Sequence, residues 1–171
     1  MQPSTGEPAA TPRAYAGAMD QPDAGPAPLP AADHPLASAK YVSLTTYRRT
    51  GAPVSTAVWF APSVDEPHLF TVITVDDTGK TKRLAHTERV EVRPCDVRGG
   101  VASGAPTYVG TARVVRDDAG VSSVRRAVVA KYGVAARTSD VVAKAASLVG
   151  IRRAPRAGIL VAVEPQPVSE G

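Results

Sequence analysis

Thr71-Val72-Ile73-Thr74-Val75-Asp76-Asp77-Thr78-Gly79-Lys80-Thr81-Lys82-Arg83-Leu84 is the stretch on which the reading of the fold turns. Its first half is β-branched and its middle is short and polar. Three cations, Lys80, Lys82 and Arg83, follow. The order predicts a strand, a tight loop and a short helix over Lys80 to Glu88, with Asp77 or Thr78 as N-cap. A helix start leaves N–H groups unpaired and carries partial positive charge, which favours anions. Hydroxyls at Thr74 and Thr78 beside three cations fit a phosphate seat. An ordinary basic turn with solvated side chains fits as well, and the stretch alone leaves both open.

Working outward, Tyr41 to Tyr47 is rich in β-formers and Arg48-Arg49-Thr50-Gly51 makes a turn. Pro53 to Ala61 supplies the next strand, which completes a hairpin signature. Pro62 to Pro67 reads as a loop and His68 to Val75 as a third strand. Beyond the opening stretch, Val90 to Asp96 alternates as a fourth strand and Thr107 to Val115 forms a fifth. Val121 to Tyr132 and Ser139 to Val149 read as helices separated by Gly133, and Gly158 to Val163 is a last apolar strand. Turns this short make most neighbours antiparallel. The expected class is therefore mainly β with α (α+β). Its form is an antiparallel barrel, closed or partly closed, of about six strands with short helices outside.

The chain has 171 residues, 43% of them hydrophobic, enough for one domain with a real core. Residues 1–36 read as a disordered tail, because they hold eight of the 16 prolines and few large apolar groups. Residues 37–165 are the expected folded domain and 166–171 a short C-terminal tail. No apolar run approaches the ~20 residues of a membrane span. The start shows no basic region followed by an apolar core, so a cytoplasmic protein is expected. The single cysteine, Cys95, excludes an internal disulfide and a cysteine zinc cluster.

Charge is unevenly placed. Beyond residue 36 lie 19 of the 20 basic groups and 12 of the 16 acidic ones, a formal +7. A basic body suits nucleic acid or an anionic cofactor. Aromatic residues are only 5% of the chain, too few for the stacking platforms of a single-strand binder, so no nucleic acid partner is expected. Other residues read plainly. Cys95 is a packed thiol with no base placed beside it by sequence. His34 falls in the tail, His68 opens a strand and His86 lies on the short helix, which is no metal-ligand spacing. Arg152, Arg153 and Arg156 read as a solvated loop, and Arg48 and Arg49 as solvated hairpin-tip residues, with reach to a long anionic tail the less favoured alternative.

Several ordered pieces together resemble a known family. Tyr41 to Phe60, with its Gly51-Ala-Pro53 turn, is similar to the opening hairpin of the pyridoxamine 5′-phosphate oxidase-like split β-barrel superfamily of flavin and deazaflavin enzymes. Thr74-x-x-x-Thr78-Gly79-Lys80-x-Lys82-Arg83 resembles its phosphate-binding loop. Arg93-Pro-Cys-Asp96, Gly110-Thr-Ala-Arg113 and Gly158 to Pro165 continue the likeness, which covers about residues 37–165 and points to the F420-dependent branch. Many relatives carry Ser where this chain has Thr78, so a hydroxyl is kept and a methyl added.

The resemblance implies an oxidoreductase that uses reduced coenzyme F420, or FMN, to transfer a hydride to a small organic substrate. It implies a homodimer with the cofactor in a cleft at the subunit interface. The ring would lie along Val54, Ser55, Thr56, Ala57 and Trp59. The phosphate would be held by Thr74, Thr78, Gly79 and Lys80, with further charge from Lys82 and Arg83. No acid–base dyad is expected, since the cofactor carries the hydride. Some members of the superfamily instead bind haem, a tetrapyrrole or another anionic ligand without known catalysis, and that is the alternative reading.

Overall fold

The computed structural model describes residues 29–133 and 155–168. Tyr41–Tyr47 (β1) pairs on one side with Pro53–Val58 (β2) and on the other with Arg89–Cys95 (β5). The other strands are Ala61–Pro62 (β3), Leu69–Val75 (β4), Tyr108–Val115 (β6) and Arg156–Val163 (β7). The helices are Gly79–Leu84 (α1) and Asp118–Tyr132 (α2). All neighbours are antiparallel, in the order β2-β1-β5-β6-β7-β4-β3. The fold is the α+β split barrel expected from the sequence, with seven strands rather than about six. The difference arises at Trp59 and Phe60, where the expected strand Pro53 to Ala61 leaves the β1 ladder and resumes as β3.

That break dictates the shape. β2 and β3 lie at opposite edges of the sheet, about 29 Å apart if it were flat with strands ~4.8 Å apart. The Trp59-Phe60 link reaches only about 11 Å at ~3.8 Å per residue step. The sheet must therefore curl until its edges meet at this link. β3 pairs only with Phe70 and Thr71, so among the described residues the edge of β4 from Val72 to Val75 has no strand on that side. The barrel is thus joined at one end and split at the other. Val42↔Val58 mark the joined end of the β1–β2 ladder, and Thr46↔Val54 the split end.

Alternation fills the interior. Val42 and Leu44 of β1, Val90 and Val92 of β5, Phe70 and Val72 of β4, and Ile159 and Val161 of β7 are buried in one cluster. Phe60 stacks on Phe70 with centroids 4.3 Å apart. Residues facing the same side along each strand are two apart, which is why the valines and leucine recur with that period. Outside the barrel, α2 packs on β3, β4 and β7. Asp117 caps it, accepting from Gly120 N at 2.8 Å. Its buried residues Val124, Ala127 and Val128 follow helical spacing. Gly158 lets it approach: a Cβ there would lie 2.6 Å from Val124 Cγ2.

The C-terminal turn of α2 is tied to the joined end. Lys131 Nζ donates to Ala39 O and Phe60 O, both at 2.6 Å, and Tyr132 OH donates to Lys40 O at 2.8 Å. The expected helix over Ser139 to Val149, and Arg152 and Arg153, lie outside the described residues.

One boundary differs from the sequence reading. The expected tail runs to residue 36, yet Ala31, His34 and Leu36 are buried and Pro35–Ser38 forms a 3₁₀ turn. His34 Nδ1 accepts from Leu36 N at 3.1 Å, so Nε2 carries the proton and donates to Glu164 O at 3.1 Å. The ring meets Phe70 and Tyr108 edge-on. Proline content suggested a solvated segment; tertiary partners such as Glu164, far along the chain, order its last residues instead.

Candidate functional site

At the split end, β4 runs into a turn at Asp76 and Asp77. Asp77 takes a left-handed conformation (φ 57°), which aspartate adopts more readily than most residues. Asp76 is fixed at both ends. Its N–H donates to Pro155 O at 2.8 Å, and Oδ2 accepts from Arg116 Nε at 2.8 Å. The Arg116 hydrogen bond holds its carboxyl below the usual range, helped by the backbone N–H of Asp77. Lys82 reaches back to Asp77 at 3.0 Å, both largely exposed, so the pair adds little stability.

Thr78 occupies the N-cap position with extended backbone, but its hydroxyl caps nothing. Thr78 Oγ1 is buried, and among the described residues it has no hydrogen-bond partner. Lys80 Nζ donates to Thr74 Oγ1 at 3.0 Å, which ties the helix back to the strand. Burial, and then the nearby Arg83, pull the Lys80 ammonium below its ordinary range. Arg83 Nε donates to Thr46 Oγ1 at 2.7 Å, bridging the split between α1 and β1. Burial, and then Arg48, lower Arg83 as well. Lys80, Arg83 and Arg48 thus form a row of like charges, and among the described residues none of them has an acidic partner. Arg49 Nη2 lies 3.4 Å from His86 Nδ1 beside them.

The sequence-derived ring strand divides between two faces. Val54 and Thr56 lie opposite Thr46 and Leu44, so they face the interior. Ser55 and Ala57 lie opposite Thr45 and Ser43 on the outer face, where Ser55 Oγ and Thr45 Oγ1 are 2.8 Å apart. Trp59 is at the joined end, away from the cations. It stacks on Tyr132 with centroids 5.0 Å apart, and its Nε1 is buried without a partner. The structure therefore brings together Thr74, Thr78, Gly79, Lys80 and Arg83, adds Thr46 and Arg48, and directs Lys82 toward Asp77. Thr46 gave no signal in the sequence, because one threonine in a β-rich run looks like any other.

Other features are quieter. Burial, with a contribution from Asp96, pushes the Cys95 thiol up, the opposite of an activated nucleophile. Among the described residues no His, Cys, Asp and Glu side chains gather as a metal site, and no helix is long and apolar enough to cross a membrane. A shallow cavity of about 70 Å³, lined by Leu69, Glu88, Thr111, Arg113, Leu160 and Ala162, includes none of Lys80, Arg83 and Arg48. It is well short of the ~300 Å³ typical of small-molecule sites.

The barrel and this loop place the chain in a class, and sequence comparison agrees. Residues 29–164 match the family described as pyridoxamine 5′-phosphate oxidase, and the chain belongs to that family. No curated protein matches it in sequence. Among solved structures it is similar to a conserved hypothetical protein of Mycobacterium tuberculosis, at 19% identity and a TM-score of 0.51, with 75% of each chain covered. It is also similar to an F420 reductase, at 17% identity and TM-score 0.47 over 75% of this chain and 89% of that one. A haem storage protein of Vibrio cholerae aligns at 14% identity and TM-score 0.47, over 77% and 84% of the two chains. At such identities the structural likeness speaks to fold alone.

Proposed function

We propose that the chain is an oxidoreductase that anchors reduced coenzyme F420 by its phosphate and serves hydride transfer to a small organic substrate. FMN is the second cofactor of the same class. The supporting observation is the row Lys80, Arg83 and Arg48 beside the orphaned Thr78 hydroxyl. The half-buried like charges of Lys80 and Arg83, with the exposed Arg48 beside Arg83, and an unpartnered buried hydroxyl are each destabilising as they stand. A phosphate offers acceptors to the hydroxyl and the cations together, with charge-assisted bonds of about 1.5–3 kcal/mol each. The donor set therefore fits the group.

In this reading Thr74, Thr78, Gly79, Lys80 and Arg83 hold the phosphate, and Lys82 contributes at longer range. The deazaflavin or flavin, when bound, supplies the hydride chemistry. The chain's part is to bind and orient. β2 presents Ser55 and Ala57 outward and Val54 and Thr56 inward, so Ser55, with the buried Thr45 hydroxyl behind it, is the hydroxyl open to a ring on the outer face. Trp59 takes a supporting role through Tyr132. The outer face of β1 and β2 carries the small residues Ser43, Thr45, Ser55 and Ala57, and α2 packs on the other half of the barrel. This asymmetry supports a homodimer formed through that face, with the substrate entering beside the interface.

Purified protein should quench F420 fluorescence at micromolar concentration or carry a yellow flavin through purification. Binding of neither, with a haem-like absorption band on reconstitution, would overturn the enzyme reading in favour of a non-catalytic binder.

A further inference from the structure

Gly79 does not have the backbone conformation that usually demands glycine; its φ is not in the left-handed region. What it lacks room for is a side chain. A Cβ at this position would lie 2.7 Å from Arg83 Nη1 and 3.6 Å from Arg83 Cζ. Side chains on a helix lean toward its N-terminus, so a residue four positions later comes to rest over the first turn. Arg83 does this and then finds Thr46, whose hydroxyl accepts from Nε at 2.7 Å. Thr46 is itself buried, and donates weakly to Val54 O at 3.4 Å. The guanidinium is therefore held at Nε, while among the described residues neither Nη1 nor Nη2 donates to an acceptor.

We infer that Gly79 and Thr46 are positioning residues for Arg83. Gly79 clears the space that the guanidinium occupies across the start of α1, and Thr46 fixes its plane. Two parallel N–H groups are then presented to an anion as a preformed fork. A guanidinium so placed grips a phosphate through two bonds at once, which a lysine ammonium cannot do. This inference rests on the phosphate-anchoring reading above and adds to it how the arginine is aimed.

The consequence separates binding from stability. The group that a Gly79 side chain would strike is the far end of the Arg83 side chain and not backbone. Alanine is also the better helix former. Gly79→Ala should therefore keep or raise the thermal midpoint while lowering F420 affinity about tenfold, measured by fluorescence quenching, with FMN as a second ligand. Arg83→Ala should weaken binding by a similar factor, and the double variant should be no weaker than either single one. Thr46→Val should lower affinity in the same direction, Thr46→Ser should restore it, and the NMR signal of Arg83 Nε–H should shift in Gly79→Ala without any ligand. Unchanged affinity in Gly79→Ala, or additive losses in the double variant, would overturn the inference. If Lys80→Ala weakens binding while Gly79→Ala does not, this inference falls and the anchoring reading stands. If wild-type protein binds neither ligand, the anchoring reading falls and this inference with it.

Discussion

Two lysines, one at each end of the barrel, lose hydration and end in different states. Lys131 at the joined end donates to two backbone carbonyls, Ala39 O and Phe60 O, each at 2.6 Å. Lys80 at the split end donates to one hydroxyl, Thr74 Oγ1, and faces another cation, Arg83. A buried cation that has acceptors from two separate segments acts as a strut. A half-buried cation set among like charges beside an orphaned hydroxyl is destabilising until something else supplies the negative charge. The same residue type thus marks a structural joint in one place and a binding position in the other.

The contrast can be broken most directly at Lys80. Lys80→Ala should lower affinity for F420 or FMN by about 10- to 100-fold, the loss of a charge-assisted bond. Its thermal midpoint should not fall, because a desolvated charge is removed. A matched loss of stability and binding would make Lys80 a strut like Lys131. Lys131→Ala should do the reverse. It strands Ala39 O, while Phe60 O keeps the Tyr132 hydroxyl at 3.0 Å. The expected cost is about 1–3 kcal/mol in chemical denaturation, and cofactor affinity stays at the wild-type value. An affinity loss equal to that of Lys80→Ala would contradict the separation of the two ends. A smaller effect is expected at Thr78. Thr78→Val should weaken binding severalfold and Thr78→Ser should not, and equal affinity in all three proteins would remove the hydroxyl from the site.

Stability against pH gives the mildest test. Burial brings Lys131 down to about 8 from its ordinary 10.5. Above pH 8 the unfolded chain keeps the proton that the folded chain has lost, so stability rises with pH from about 8 toward 10.5. Lys80 adds in the same direction. Tyr47, pushed up to about 12 mainly by burial and then by Glu91, opposes this rise above pH 10 and turns the trend downward once the lysine contribution ends near 10.5. Urea denaturation at pH 7.5 and pH 9.5 should show the rise, and Lys131→Met should diminish it. An undiminished slope would assign the effect elsewhere.

The barrel was legible because its signals are local. Alternation in Tyr41 to Tyr47 and in Val90 to Cys95, and turn residues such as Gly51, define strands without reference to partners. The loop residues Thr74, Thr78, Lys80 and Arg83 were equally open to reading, since they meet within ten positions. What failed to show depended on contacts between distant segments. Trp59 looked like part of a ring strand, but its neighbour Tyr132 belongs to a helix more than seventy residues later. The two faces of β2 could not be told apart until Val54 was found opposite Thr46. Thr46 itself acquired meaning only when Arg83 crossed the split to reach it.

The segment before β1 bears on where this domain can be cut. Ala31 N donates to Pro67 O at 2.6 Å, Leu36 is buried, and His34 closes over Phe70 and Tyr108 while holding the carbonyl of Glu164. A protein trimmed to begin at residue 37, where proline content alone would place the boundary, loses that plug. Two aromatic side chains are then uncovered and the end of the last strand loses a donor. A domain that keeps this plug therefore begins at or before Ala31, and a protease that trims the chain past that point removes part of the core.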